Sequence, residues 1–137
     1  MLDSLVVLRR EVRFVSAKEA LGVAAALSRL HRPGSATVVA LDDDRRLLDL
    51  RVVEDGAGHE SQLVELIGLS EKPGVCSLFL VTDRTGEVPA DRPDDELVWM
   101  ELVEQAATDG LILRDWYIVS GTFAFSVAEF APRPAQW

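Results

Sequence analysis

The run Val75-Cys76-Ser77-Leu78-Phe79-Leu80-Val81 constrains this chain more than any other segment. A strand with one face in water alternates apolar and polar residues, whereas this run is nearly all apolar. That pattern suits a strand covered on both faces, which calls for helices packed against a sheet. One such helix is expected directly downstream. It starts near Pro93 with Asp94, Asp95 and Glu96 in its first turn, where the helix dipole favours negative charge. It is expected to run to Thr108 and close on Gly110.

The remaining elements follow from local pattern. Leu5 to Val15 is extended and β-branched, with alternation at Val12 and Phe14, and reads as a strand. A helix is expected from Ser16, whose hydroxyl can cap the first turn while Glu19 reaches back to it. Leu21, Ala24, Ala25, Leu27 and Leu30 recur at helical spacing, and Pro33-Gly34 stops the helix. Ala36 to Leu41 and Leu47 to Val53 read as a β-hairpin around Asp42-Asp43-Asp44-Arg45. The triple aspartate is read as turn chemistry rather than a cation site, because Asp favours tight turns. Glu54 to Gly58 is a loop, and a short helix follows through Leu63, Leu66 and Ile67. Leu111 to Val119 and Phe123 to Phe130 form a closing strand pair. The order is β-α-β-β-α-β-α-β-β: an α/β protein with a mixed β-sheet flanked by helices. Residues 1–130 make one domain, and the prolines in 131–137 suggest a loose tail.

Charge and cysteine content exclude several functions. Fourteen Lys and Arg against 23 Asp and Glu give a net charge of -9 over 137 residues, a field that opposes nucleic acid. The Arg9, Arg10, Arg13 cluster is broken by Glu11 and reads as a solvated strand face. Cys76 stands alone, which excludes an intrachain disulfide and a cysteine-rich metal cluster. Its apolar neighbours suggest a small buried hydrophobe. Neither a signal peptide nor a membrane-length apolar stretch is evident, so a cytoplasmic protein is expected.

From about Ser16 onward the chain resembles the JAB domain of RadC-type bacterial proteins, within the JAB/MPN (JAMM) metalloprotease fold. The hairpin Leu41-Asp42-Asp43-Asp44-Arg45-Arg46-Leu47 and the following Val53-Glu54-Asp55-Gly56 carry part of the likeness. Leu113-Arg114-Asp115-Trp116-Tyr117-Ile118-Val119, followed by Phe125-Ser126, resembles the closing strands, where the family has an aspartate-histidine pair. Trp116 stands at that histidine. The resemblance implies a three-layer, cytidine deaminase-like architecture and metal-dependent peptidase ancestry.

The family's metal motif, H-x-H-x-x-x-x-x-x-x-S-x-x-D, falls here on Val81, Asp83, Asp91 and Asp94. Of the metal ligands only Asp94 is preserved in type. The catalytic glutamate position falls at or beside Asp55, next to Glu54. Val81 cannot coordinate a metal, and without a tightly held Lewis acid water keeps a pKa near 15.7 instead of about 7. The resemblance therefore implies a catalytically inactive domain without a cofactor, acting as a protein-interaction or dimerisation module.

A rewired hydrolase is the alternative. His59, Asp83 and Asp94 could hold a weakly bound divalent metal, with Glu54 or Glu60 as general base. In that reading His59 approaches a metal shared with both aspartates; otherwise it is a polar residue at a helix amino end. His31 reads as structural, a cation at a helix carboxyl end. Asp83, Glu87, Asp91, Asp94, Asp95 and Glu96 outline an acidic rim, relieved by Arg84 and Arg92, that could dock a basic partner. A small-molecule pocket in the emptied cleft is a third possibility, with no ligand indicated.

Overall fold

A computed structural model describes residues 34–53, 73–84, 95–120 and 123–129, together with Ala20, Gly22, Leu63, Val64, Ile67, Gly68 and Trp137. The strand expected at Leu5 to Val15 lies outside these residues. Of the helix expected from Ser16, Ala20 and Gly22 are described and helical; of the short second helix, Leu63, Val64, Ile67 and Gly68 are.

The described elements are β1 (Ala36–Leu41), β2 (Leu47–Val53), β3 (Ser77–Asp83), α1 (Asp95–Thr108), β4 (Ile112–Ser120) and β5 (Phe123–Ser126). A 3₁₀ turn over Val127–Glu129 follows β5. The strands form one mixed sheet in the order β2-β1-β3-β4-β5. β3 and β4 run parallel and all other neighbours are antiparallel. A parallel pair needs a crossover connection, and α1 lies in it. The chain is therefore an α/β protein with a mixed five-stranded sheet.

Two of the strands are buried along their whole length, β1 and β3, so the double coverage expected of the apolar run holds. The strand begins at Ser77, two positions later than the run. Cys76 falls just before it and is exposed, which corrects the expectation of a buried thiol. β5 is likewise shorter than expected, because the chain leaves the sheet after Ser126 in the 3₁₀ turn.

Each face of the sheet carries its own apolar cluster. Val38, Ala40, Leu78, Leu80, Leu113, Trp116 and Ile118 face α1, which presents Trp99, Leu102, Val103 and Ala106, and the helical residues Leu63 and Ile67 join them. The four α1 residues recur at the spacing that builds one helical stripe. On the opposite face Val39, Leu41, Leu47, Phe79, Val81, Tyr117 and Val119 pack with helical Ala20.

A bulge decides which β4 residues belong to which face. Leu78 pairs with Leu113 but Phe79 pairs with Asp115, leaving Arg114 as an extra residue. Without it Asp115 would share the α1 face with Leu113. With it, Asp115 and Tyr117 turn to the opposite face and Trp116 takes the α1 face, the re-aiming that β-bulges produce.

The turns confirm their sequence signals. Asp42 Oδ1 accepts the backbone N–H groups of Asp44 and Arg46, each at 2.9 Å, and Arg45 adopts a left-handed φ of 61°. This carboxylate is committed to the hairpin turn. At the end of α1, Gly110 has φ 76°. Its N–H donates to Ala107 O at 3.0 Å and that of Leu111 to Ala106 O at 2.8 Å. This bond pair is the Schellman arrangement, which caps a helix through a left-handed glycine.

Candidate functional site

The candidate positions among the described residues, Val81 and Asp83, lie where β3 ends, close to the start of α1. The β1–β3 ladder is extended there by Asp83 N–H donating to Ser35 O at 2.9 Å and Gly34 N–H donating to Asp83 O at 3.0 Å. Alternation then sends successive side chains to opposite faces. Val81 lies in the cluster opposite α1, only 4% exposed. Asp83 is buried on the same face, paired in register with Val119.

Thr82 and Arg84 go the other way, towards α1. Trp116 Nε1–H donates to Thr82 Oγ1 at 2.9 Å. The Arg84 guanidinium lies 5.8 Å from the centre of the Trp116 ring, within reach of a cation–π attraction. Its Nη1 and Nη2 each donate to one oxygen of Asp95 at 2.8 Å, the bidentate fork that fixes both groups. Arg84 N–H donates to Val119 O at 2.7 Å, so the residue is held through backbone as well as side chain. Only 7% of Arg84 is exposed. Its Nε is, among the described residues, a buried polar atom without a hydrogen-bond partner.

This arrangement suits structure better than chemistry. A guanidinium is permanently charged and cannot serve as a general base. The Asp95 carboxylate is engaged at both oxygens. The ion pair joins the end of β3 to the first turn of α1, over the aromatic face of β4.

A second polar cluster lies on the opposite face. Asp115 is fully buried, at 0% exposure. Its Oδ1 accepts the Trp116 backbone N–H at 2.9 Å and the Ser126 hydroxyl at 2.5 Å. Its Oδ2 accepts the Trp137 indole N–H at 3.1 Å. Burial, the Asp115 charge and a hydrogen bond to that carboxylate together raise the Tyr117 phenol well above the usual tyrosine range. A hydrogen bond with Trp137 opposes these effects and is outweighed. Arg114 bonds Ser77 Oγ through Nε at 2.8 Å, and burial followed by repulsion from Arg45 lowers its pKa. Such a carboxylate is tolerable inside a sheet only because its oxygens are satisfied.

No family model matches this chain, and no curated protein matches it either.

The structure therefore brings together some of the residues the sequence pointed to. Val81 and Asp83 share one face, with Asp95 across the sheet from them on the helix side. Glu54, Asp55, His59, Glu60, Asp91 and Asp94 lie outside the described residues, as does His31. Among the described residues, no three His, Cys, Asp or Glu side chains come close enough to hold a metal. A zinc ion of the kind the resemblance implies does not fit the first motif position. Val81 offers no donor atom and is sealed among Phe79, Tyr117 and Val119.

Arg84 and Asp115 hold more partners in the structure than the sequence indicated. Arg84 was legible only as a relief of charge in an acidic rim. Asp115 carried a signal: an ionisable residue inside the apolar strand Ile112–Ser120 has to find partners when buried. No helix among the described residues is long and apolar enough to cross a membrane.

Proposed function

We propose that this chain is a degenerate relative of the RadC-type JAB domain and acts as a protein-interaction or dimerisation module without catalysis. One observation carries the reading. At the strand-to-helix junction, where the resemblance locates a metal centre, stand a sealed valine and a bidentate Arg84–Asp95 ion pair within cation–π range of Trp116. Neither supplies a metal ligand, a nucleophile or a general base. In this reading the three-layer JAB architecture is retained and the ancestral cofactor is not.

The exposed side of α1 supports the interaction half of the proposal. Leu97, at 66% exposure, stands in one helical stripe with exposed Glu101 and Glu104. An exposed apolar side chain followed along the helix by two exposed carboxylates matches a partner that sets basic groups beside an apolar contact, because complementary charge steers encounter.

Titration calorimetry with zinc and manganese, on the parent and on Asp83→Ala and His59→Ala variants, tests the proposal. Absence of binding tighter than micromolar agrees with it. Tight binding lost in both variants overturns it in favour of the rewired hydrolase. Sedimentation equilibrium on the parent and on Leu97→Lys then reads whether the partner is a second copy of the chain.

A further inference from the structure

We propose that Phe79, Arg114 and Asp115 form a binding seat for an indole ring, and that Trp137 occupies this seat as a removable plug. The seat lies on the sheet face opposite α1 and goes beyond the interaction reading above, which rests on the other face.

Three walls hold the ring of Trp137, and the Tyr117 hydroxyl makes a further hydrogen bond with it. Phe79 lies 5.7 Å away between ring centres, tilted by 58°. The Arg114 guanidinium is 5.9 Å from the centre of the Trp137 ring, in cation–π range. Asp115 Oδ2 takes the indole N–H at 3.1 Å. An apolar wall, a cation over the ring and a carboxylate at its nitrogen select a neutral aromatic ring that also donates an N–H.

Each wall is fixed by something other than Trp137. Phe79 is buried in β3 and meets Tyr117 edge-on, with ring centres 5.8 Å apart at 85°. Arg114 is anchored to Ser77 Oγ at 2.8 Å. Asp115 is aimed at this face by the β4 bulge and held through Oδ1 by Ser126 and the Trp116 backbone. A seat whose walls have their own supports keeps its shape when vacated, and such preorganisation favours rebinding. Vacating it removes one donor from a fully buried carboxylate, which keeps those of Ser126, the Trp116 backbone and Tyr117 and has room at Oδ2 for another.

The test is calorimetry of Trp137→Gly with free indole, with indene as a comparator of the same shape lacking the N–H. The expected result is saturable binding of indole to the variant, with indene weaker by about tenfold or more, as loss of a hydrogen bond to a charged group implies. The parent, its seat filled, binds neither measurably. Equal affinity for indole and indene overturns the role of Asp115, and failure of the folded variant to bind indole overturns the seat. Indole binding to the parent as strong as to the variant also overturns it.

Should Trp137→Gly not fold, the parent decides through amide and indole exchange measured by NMR, with Trp137→Phe assigning the signal. Slow exchange of the Trp137 indole proton is expected. Exchange as fast as in an unstructured peptide refutes the docked ring.

Discussion

Removing the charge of Asp95 tests whether the junction of β3 and α1 is held by a buried ion pair. The side chains of Arg84 and Asp95 are 8% and 13% exposed, and their fork has both bonds at 2.8 Å. An exposed pair contributes only about 0–1 kcal/mol. Breaking a buried pair by removing one partner costs about 3–5 kcal/mol, because the other charge is left without compensation. Asp95→Asn is therefore expected to lose about 3–5 kcal/mol. In a chain of this size that lowers Tm by about 10–20 °C. The double variant Arg84→Met with Asp95→Leu is expected within about 1 kcal/mol of the parent. It removes both charges, and with them the unpartnered buried Nε, whose desolvation costs about 1–3 kcal/mol. Urea unfolding of the parent, Arg84→Met, Asp95→Leu and their combination, followed by circular dichroism and by tryptophan fluorescence, gives the four corners of the cycle. Trp116, one of three tryptophans, has the guanidinium 5.8 Å from its ring centre and so contributes a local part of the fluorescence change. Constant m-values are required for the comparison. A loss below about 1 kcal/mol for Asp95→Asn, or strict additivity in the cycle, refutes the reasoning.

Tyr117 is the sole tyrosine, so tyrosinate absorbance reports on it alone. Its folded pKa is raised above the unfolded value of about 10, so its contribution to stability is complete below that pH and is lost as pH rises beyond it. Tyrosinate is expected to appear together with alkaline unfolding above about pH 10; ionisation of the still-folded protein near that value contradicts the buried hydrogen-bonded phenol. Exposed Cys76 is expected to react stoichiometrically with a maleimide under native conditions, and labelling that requires denaturant refutes its placement. Gly110→Ala forces a Cβ into φ 76° and is expected to cost about 1–2 kcal/mol by chemical denaturation, whereas an unchanged midpoint argues against the left-handed cap.

Much of the fold was legible because the decisive interactions are local. The hairpin strands fall at Ala36–Leu41 and Leu47–Val53, as expected, because Asp42 closes the turn with its own side chain. The end of α1 is set by Gly110 in the same local way. The bulge at Arg114 left no such mark. One extra residue in a strand changes neither composition nor hydropathy, yet it exchanges the faces of Asp115 and Trp116. Cys76 was misread because its apolar neighbours imply burial, while its position just before β3 leaves it in solvent. The site was less legible for a related reason. Arg84 finds Asp95 only when the helix is set on the sheet, and Asp115 finds Trp137 only when that distant residue reaches the same sheet face. A residue-spacing motif carries Val81 and Asp83 but is silent about such long-range partners.

The parallel pairing of β3 with β4 also dictates an order of assembly. β1 and β2 meet across a tight turn, and β3 can add to β1 as soon as it exists. The other edge of β3 has to wait until α1 has been made, because Ser77 pairs with Ile112 and Asp83 with Val119. Closing so distant a contact is slow, and parallel sheets pay this entropy before the ladder rewards it. At about 5–20 residues per second, synthesis leaves the Leu78–Val81 edge open for seconds. An unpaired apolar edge is a template for intermolecular pairing. In the nascent chain, among the described strands, β3 is therefore left with an apolar edge exposed to intermolecular pairing until β4 arrives.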